Sequence, residues 1–183
     1  MYGKKNITMK IVLVGYMGSG KSTIGRLLAN KLAVAFIDLD DYLEAKYGMT
    51  IKDIFDKKGI IFFRKAERNA LKELVKSTES YVLATGGGAP CYGDNMKLIT
   101  ASSDAVVYLK MNIPDLIVRL LPERSQRPLI SHLKESEMAE FLGKHLFERA
   151  PYYNQASIVL SVQQQSPEAV VIQIQKDLGL LNA

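Results

Sequence analysis

Short apolar runs alternate with amphipathic stretches along the chain. The apolar runs are rich in Val, Ile and Leu, whereas the stretches between them repeat apolar residues at helical spacing, as Ile24, Leu28 and Leu32 do. This alternation is typical of βαβ units and therefore predicts an α/β fold around a parallel sheet. The apolar runs predict strands at residues 10–14, 35–39, 81–84, 105–109 and 157–162.

Three further segments complete the predicted organisation. Apolar residues recur at helical spacing over 59–76, and Ser166 followed by Pro167 is typical of a helix start. Residues 121–134 contain two prolines and no sustained periodicity, so we expect a mobile functional loop there. With no repeats or linkers, residues 1–183 are expected to form one domain, in which 1–8 could be a flexible tail.

The composition is that of a folded globular protein and argues against membrane-spanning and secreted proteins. Of 183 residues, 48% are hydrophobic and 23% charged, which is the balance of a folded globular protein. No apolar run approaches the roughly 18 residues of a membrane span, and the run ending at Val14 is too short for a secretory signal. The one cysteine, Cys91, excludes an internal disulfide. We therefore expect a cytoplasmic protein with no membrane partner.

The net charge of +5 indicates an anionic partner. Nucleic-acid binding would favour a continuous basic stripe with aromatic residues between the charges. The densest basic cluster, within residues 57–68, instead has Asp56 beside it and Glu67 inside it. Small anionic ligands are therefore favoured over nucleic acid.

A phosphate-binding loop follows the first predicted strand. The segment reads G-x-x-x-x-G-K-[ST] and lies between a strand and a helix, which is the context that a P-loop requires. Its glycines allow backbone N–H groups to approach a phosphate, Lys21 supplies a point charge, and the Ser22 hydroxyl is a ligand for Mg²⁺. These features predict a nucleoside triphosphate site formed by Gly15, Gly18, Ser19, Gly20, Lys21, Ser22 and Thr23.

Two further motifs follow the second and third predicted strands. Asp38 and Asp40 face the same way if the second strand continues to residue 39, so one could act near Mg²⁺ and the other as a general base. We expect Asp41 to cap the next helix instead. The glycines at 86–88 favour close approach to a ligand over a simple turn.

Four arginines stand apart from the lysine-rich background, and arginine matches carboxylate or phosphate with a planar fork of donors. Arg64 has Glu67 at i+3, which could orient it or form an ordinary surface ion pair. Arg149 precedes Pro151 and is expected at a helix end, where a cation could simply complement the helix dipole. The other two are Arg119 and Arg127.

This ordered set resembles the shikimate kinase family of small P-loop kinases, from Met9 to about Leu178. The resemblance rests on the motifs GYMGSGKST at 15–23, DLD at 38–40, FR at 63–64, GGG at 86–88, RPL at 127–129 and RAPYY at 149–153. It implies a five-stranded parallel sheet of order 2-3-1-4-5, with a mobile lid at 121–134. It also implies transfer of phosphate from ATP to the 3-hydroxyl of shikimate, with Mg²⁺, in a chain that we expect to be a monomer.

The resemblance also implies a role for each matching residue. Asp40 would hold the shikimate hydroxyls and act as base, Arg64 and Arg149 would bind the carboxylate, and Gly86, Gly87 and Gly88 would line the substrate pocket. Lys21 would bind phosphate, while Ser22 and Asp38 would be the direct and indirect Mg²⁺ ligands. The lid residue Arg127 would reach the transferring phosphate, and Arg119 and Pro167 would lie at the adenine.

The sequence departs from the family pattern at two positions, and three alternative functions remain to be distinguished. Ile60 replaces a family glutamate, and Leu120 follows Arg119 where a second arginine is common. A gluconate kinase would share the loop but would not need Arg64, the glycine triplet and Arg149 together. A binding module without catalysis would have lost Lys21, Asp40 or Arg127, and all three are present. A nucleic-acid-binding protein would show steeply salt-dependent binding.

Overall fold

The structure is a computed structural model that describes residues 8–127 and 129–181. Of the expected tail at 1–8, only Thr8 lies within the described residues, and its hydroxyl donates to the Thr78 carbonyl at 3.2 Å. Pro128 of the expected lid lies outside them.

Five parallel strands form one sheet of order β2-β3-β1-β4-β5, which confirms the predicted topology. In chain order the strands are β1 (Lys10–Val14), β2 (Ala35–Asp38), β3 (Tyr81–Ala84), β4 (Ala105–Lys110) and β5 (Ile158–Ser161). β1 lies at the centre, where Val12 pairs in register with Leu83 of β3 and Val106 of β4. Three strands differ from prediction by one residue at an end: β2 stops before Leu39, which already begins a helix, β4 extends to Lys110, and β5 is shorter at both ends.

Seven helices connect these strands in the described residues. They are α1 (Lys21–Leu32), α2 (Leu39–Tyr47), α3 (Ile51–Leu74), α4 (Asn95–Ser102), α5 (Ile113–Leu120), α6 (Glu135–Tyr153) and α7 (Pro167–Asp177). Ser166 caps α7 as predicted, since its hydroxyl accepts from the Ala169 N–H at 3.2 Å. Between α5 and α6, residues 121–127 and 129–134 contain turns, irregular backbone and one short 3₁₀ turn, Arg124–Gln126.

Two local expectations about the helices are wrong. Asp38 caps α2, not Asp41, because the strand stops one residue earlier and Asp38 then accepts the Asp40 N–H at 3.0 Å. Arg149 lies inside α6, not at its end, since the helix continues past Pro151 and Asn154 donates to the Ala150 carbonyl. The helix predicted over 59–76 agrees with the second part of α3, since Gly59 has non-helical dihedrals (φ 80°, ψ 167°) that separate it by a kink from the part that begins at Ile51.

The sheet has an apolar core on each face, because alternate residues of β1 point to opposite sides. Ile11 and Leu13 pack with α1, α5, α6 and α7, whereas Val12 and Val14 pack with α2, α3 and α4. Burial of both faces explains why the inner strands β1, β3 and β4 are almost continuously apolar, whereas the edge strands β2 and β5 are partly exposed. The polar motifs therefore collect at the carboxyl edge of the sheet, where ligands bind in open α/β folds.

Candidate active site

The phosphate loop links β1 to α1. Gly20 lies just before α1 with φ 90°, a left-handed conformation that a side chain would disfavour. Lys21 is buried, and its Nζ donates to the carbonyls of Gly15 at 3.0 Å and Tyr16 at 2.9 Å. Burial lowers the pKa of Lys21 to about 8, although Asp40 and Asp38 oppose this shift. The loop thus holds a cation beneath a glycine-rich backbone.

Ser22 and Asp38 meet beside this loop. The Ser22 hydroxyl donates to Asp38 Oδ2 at 2.6 Å, while Asp38 Oδ1 caps α2. A hydroxyl and a carboxylate suit Mg²⁺, which usually takes one or two protein oxygens and leaves its other positions to phosphates and water. No cluster of three or more His, Cys, Asp or Glu suited to a metal occurs within 8–127 and 129–181. The donor set therefore fits a phosphate-bound Mg²⁺.

Asp40 lies on the first turn of α2, not on the strand as the sequence suggested. It is half-buried, and burial together with the neighbouring Asp38 raises its pKa to about 6, against the lowering effect of Lys21. Asp41, by contrast, points outward and pairs with Arg26 at 3.3 Å. Asp40 is thus a carboxyl group whose proton affinity suits acid–base chemistry near neutral pH.

The three glycines allow close packing of the site's own groups. A Cβ on Gly86 would lie 3.0 Å from Asp40 Oδ1, and one on Gly88 would overlap the Arg64 guanidinium. A Cβ on Gly87 would lie 3.2 Å from the Met17 N of the phosphate loop. Because the three glycines have no side chains, Asp40, Arg64 and the phosphate loop can all pack against the same short stretch of backbone.

Arg64 forms a half-buried ion pair, which decides between the two interpretations of its i+3 spacing. Its Nη1 donates to Glu67 Oε2 at 2.5 Å, and the Glu67 side chain is only 1% exposed. Burial raises the pKa of Glu67 to about 7 against the lowering effect of Arg64. Glu67 Oε1 has no hydrogen-bond partner among the described residues. Only the i+3 spacing pointed to Glu67 in the sequence.

Three connected clefts run along the carboxyl edge of the sheet. The α7 cleft, about 210 Å³, is lined by Ser19, Thr23, Arg119 and Pro167 among others, and Arg119 donates to the Gly18 carbonyl at 3.3 Å. The loop cleft, about 510 Å³, lies over the phosphate loop. The α3 cleft, about 490 Å³, is lined by Phe55, Phe63, Arg64, Glu67 and Arg149, among others.

Five residues line both the loop cleft and the α3 cleft: Met17, Asp40, Gly86, Gly87 and Arg127. Arg127 stands in the segment between α5 and α6 and pairs with Glu123 at 2.5 Å. The candidate site residues are thus brought together along one continuous groove. Ile60 is exposed and lies outside the lining of these clefts. Phe55 on the apolar side of the α3 cleft carried no sequence signal beyond ordinary core periodicity.

Comparison with known proteins decides the family. The family model described as "Shikimate kinase" matches residues 17–179. The chain belongs to the shikimate kinase family. It is 43% identical over 162 residues to the shikimate kinase of Flavobacterium johnsoniae. That alignment covers 88% of this chain and 94% of the Flavobacterium protein.

Solved structures of the shikimate kinase family agree with this fold. A shikimate kinase from Bacteroides thetaiotaomicron superposes with a TM-score of 0.87 at 37% identity, covering 94% of this chain and 99% of that one. The Acinetobacter baumannii enzyme, solved in complex with shikimate, gives 0.86 at 34% identity and covers 94% of each chain. The resemblance predicted from the motifs is confirmed, and the family favours a kinase over a binding module. Within the described part of the chain, no helix is long and apolar enough to cross a membrane.

Proposed function

We propose that this chain transfers the γ-phosphate of ATP to the 3-hydroxyl of shikimate, giving shikimate 3-phosphate for the synthesis of chorismate and aromatic amino acids. The observation that carries the proposal is the junction at which Asp40 and Arg127 line both the loop cleft and the α3 cleft. A phosphoryl group bound over the loop and a hydroxyl bound in the α3 cleft would meet there. Family membership supports shikimate, and not gluconate, as the acceptor.

ATP is assigned to the α7 and loop clefts. Gly15, Gly18, Ser19, Gly20 and Thr23 would surround the phosphates, with Lys21 as the cation that contacts them. Arg119 and Pro167, which line the α7 cleft, would contact the adenine. Ser22 would hold Mg²⁺ directly and Asp38 through water, consistent with their mutual hydrogen bond. Mg²⁺ would neutralise charge on the phosphate oxygens.

Shikimate is assigned to the α3 cleft. Its carboxylate would bind the guanidinium groups of Arg64 and Arg149, and its hydroxyls would face Asp40. The backbone of Gly86, Gly87 and Gly88 would form the wall of the pocket. The apolar rings of Phe55 and Phe63 would pack against the cyclohexene ring of the substrate.

The chemical step forms one bond and breaks one bond. The 3-hydroxyl oxygen attacks the γ-phosphorus while the bond from that phosphorus to the β,γ-bridging oxygen breaks, so ADP leaves. Asp40 accepts the hydroxyl proton, and the cations Lys21 and Arg127 stabilise charge on the transferring group. A lid formed by residues 121–134 would exclude water and limit ATP hydrolysis.

Three further properties belong to the same proposal. We propose that residues 1–183 act as one domain, as a monomer, in the cytoplasm. The single continuous sheet supports the one-domain assignment. Sedimentation of the purified protein at several concentrations would test the monomer.

The first test is the release of ADP from Mg·ATP with shikimate, gluconate, quinate or no acceptor. We expect strong stimulation by shikimate alone. Stimulation by another polyol would reassign the α3 cleft, whereas bound ATP with no stimulation by any acceptor would favour a binding module. Salt dependence of binding to a nucleic-acid probe checks the remaining alternative.

Replacement of Arg64 by Ala should raise the KM for shikimate by about 10- to 100-fold, because a charged hydrogen bond to the carboxylate is lost. We expect kcat and the KM for ATP to change far less. Arg68→Ala is the matched control, since Arg68 lies one turn further along α3 and pairs with Asp94 at 3.6 Å on the surface. Steady-state kinetics with each substrate varied in turn provide the measurement. An unchanged KM for shikimate in Arg64→Ala would contradict the carboxylate role.

A further inference from the structure

A tyrosine of the phosphate loop contacts the helix that carries Arg149. Tyr16 is 2% exposed, and the Arg149 Cζ lies 5.2 Å from the centre of its ring. The Tyr16 hydroxyl lies 3.2 Å from Nδ1 of His145, one turn earlier on α6. One loop side chain thus contacts two successive turns of α6.

His145 is itself held from its other side. The Phe141 ring packs against the His145 ring with centroids 4.2 Å apart, and Phe141, His145 and Arg149 share one face of α6 at intervals of four residues. Burial raises the pKa of Tyr16 to about 12, while burial and the charge of Arg149 lower the pKa of His145. The Tyr16 hydroxyl and Nδ1 of His145 are thus within hydrogen-bond distance, with the donor set by the imidazole tautomer, and this bond holds the hydroxyl end of the tyrosine against α6.

The two arginines of the α3 cleft are held in different ways. Arg64 is paired with Glu67, so part of its charge is already compensated. No carboxylate lies within salt-bridge distance of Arg149 in residues 8–127 and 129–181. An aromatic face attracts a guanidinium without neutralising it, and the edge N–H groups of Arg149 other than the one that contacts the Tyr153 side chain can bind a carboxylate. Arg149 is thus oriented yet remains a full cation.

We propose that Tyr16 is a positioning residue. His145 holds its side chain, and Tyr16 in turn orients Arg149 toward the α3 cleft, which sets the affinity for the substrate carboxylate. The inference rests on the proposed function, because it takes Arg149 as a ligand of that carboxylate. In the phosphate site, Tyr16 contributes its backbone carbonyl, which accepts a hydrogen bond from Lys21 Nζ, and not its side chain. Changing its side chain should therefore affect the acceptor and spare ATP.

The test compares Tyr16→Leu and Tyr16→Phe with the unaltered protein by calorimetric titration. The ligands are shikimate, its methyl ester, which has the same ring but no anionic carboxylate, and ATP. Phe147→Leu is the control on α6, because Phe147 is 83% exposed and lines none of the three clefts. Thermal unfolding of each variant reports its folding.

We expect Tyr16→Leu to weaken shikimate binding by about 5- to 30-fold, the range for loss of a largely buried cation–π contact. Binding of the methyl ester and of ATP should stay within about twofold. Tyr16→Phe keeps the ring but loses the bond to His145, and should weaken shikimate binding by about two- to fivefold. The control should bind shikimate as the unaltered protein does.

Unchanged shikimate affinity in Tyr16→Leu, or equal losses for shikimate and its ester, would overturn the positioning role. If Tyr16→Leu does not fold, Tyr16→Phe decides, and unchanged affinity for shikimate in that variant overturns the anchoring by His145. Failure of the unaltered protein to bind shikimate overturns the proposed function itself. The two failures are therefore distinguishable in one set of titrations.

Discussion

Replacement of Arg127 by Ala should lower kcat by about 10³- to 10⁵-fold, the range for an arginine that stabilises charge on a transferring phosphoryl group. The side chain lines both the loop cleft and the α3 cleft, so it is placed where the phosphorus would pass between donor and acceptor. Charge on the equatorial oxygens is stabilised mainly as the transition state forms. The loss should therefore appear in kcat and much less in the affinity for ATP.

Arg127 forms an ion pair that is weak enough for the side chain to leave it during transfer. Its Nη2 donates to Glu123 Oε2 at 2.5 Å, and both residues are partly exposed. An exposed pair of this kind contributes little stability, so Arg127 can leave Glu123 for the phosphoryl group at small cost. Arg127→Ala should for the same reason unfold at nearly the same temperature as the unaltered protein.

Arg124→Ala is the matched control for Arg127→Ala. It removes an arginine from the short 3₁₀ turn that ends just before Arg127, and Arg124 lines none of the three clefts. Rapid-quench measurement of a single turnover would isolate the chemical step from product release. Near-normal turnover in Arg127→Ala would refute the lid assignment, whereas equal losses in both variants would indicate a general effect of positive charge in this segment.

Local patterns predicted much of the fold. Apolar runs located all five strands, and the signal was strongest for β1, β3 and β4, because strands covered on both faces must be largely apolar. The phosphate loop was equally clear, since its glycines, lysine and hydroxyl act within nine consecutive residues. These features depend on neighbours in the chain and need no knowledge of tertiary contacts.

The errors occurred where a tertiary contact decides between local alternatives. Asp38, Asp40 and Asp41 are all good caps, and the end of β2 determines that Asp38 takes this role. Pro151 indicates a helix end, yet packing of Tyr153 in the core extends α6 beyond it. The burial of Glu67 depends on residues far from it in sequence. Spacing alone therefore left its pairing with Arg64 undecided between a surface contact and a site contact.

Replacement of Asp40 by Asn is the second change with a large expected effect. It should lower kcat by about 10²- to 10⁴-fold, because the amide keeps the shape of the carboxylate but cannot accept the hydroxyl proton. The affinity for shikimate should fall by less than tenfold, since an amide oxygen still accepts a hydrogen bond. Asp40 is half-buried beside Asp38, and this burial and charge raise its pKa to about 6. Removing its charge should therefore leave the unfolding temperature equal or higher.

Asp41→Asn is the matched control for Asp40→Asn. Asp41 follows directly in the chain, but its carboxylate pairs with Arg26 on the surface. If Asp40 is the base, only Asp40→Asn loses turnover, although both variants lose one negative charge from the first turn of α2. Equal losses of turnover in the two variants would show that the charge of this turn, and not a proton acceptor at Asp40, supports transfer, and full activity in both would contradict either role. A large loss of shikimate affinity with unchanged kcat would instead make Asp40 a binding group alone.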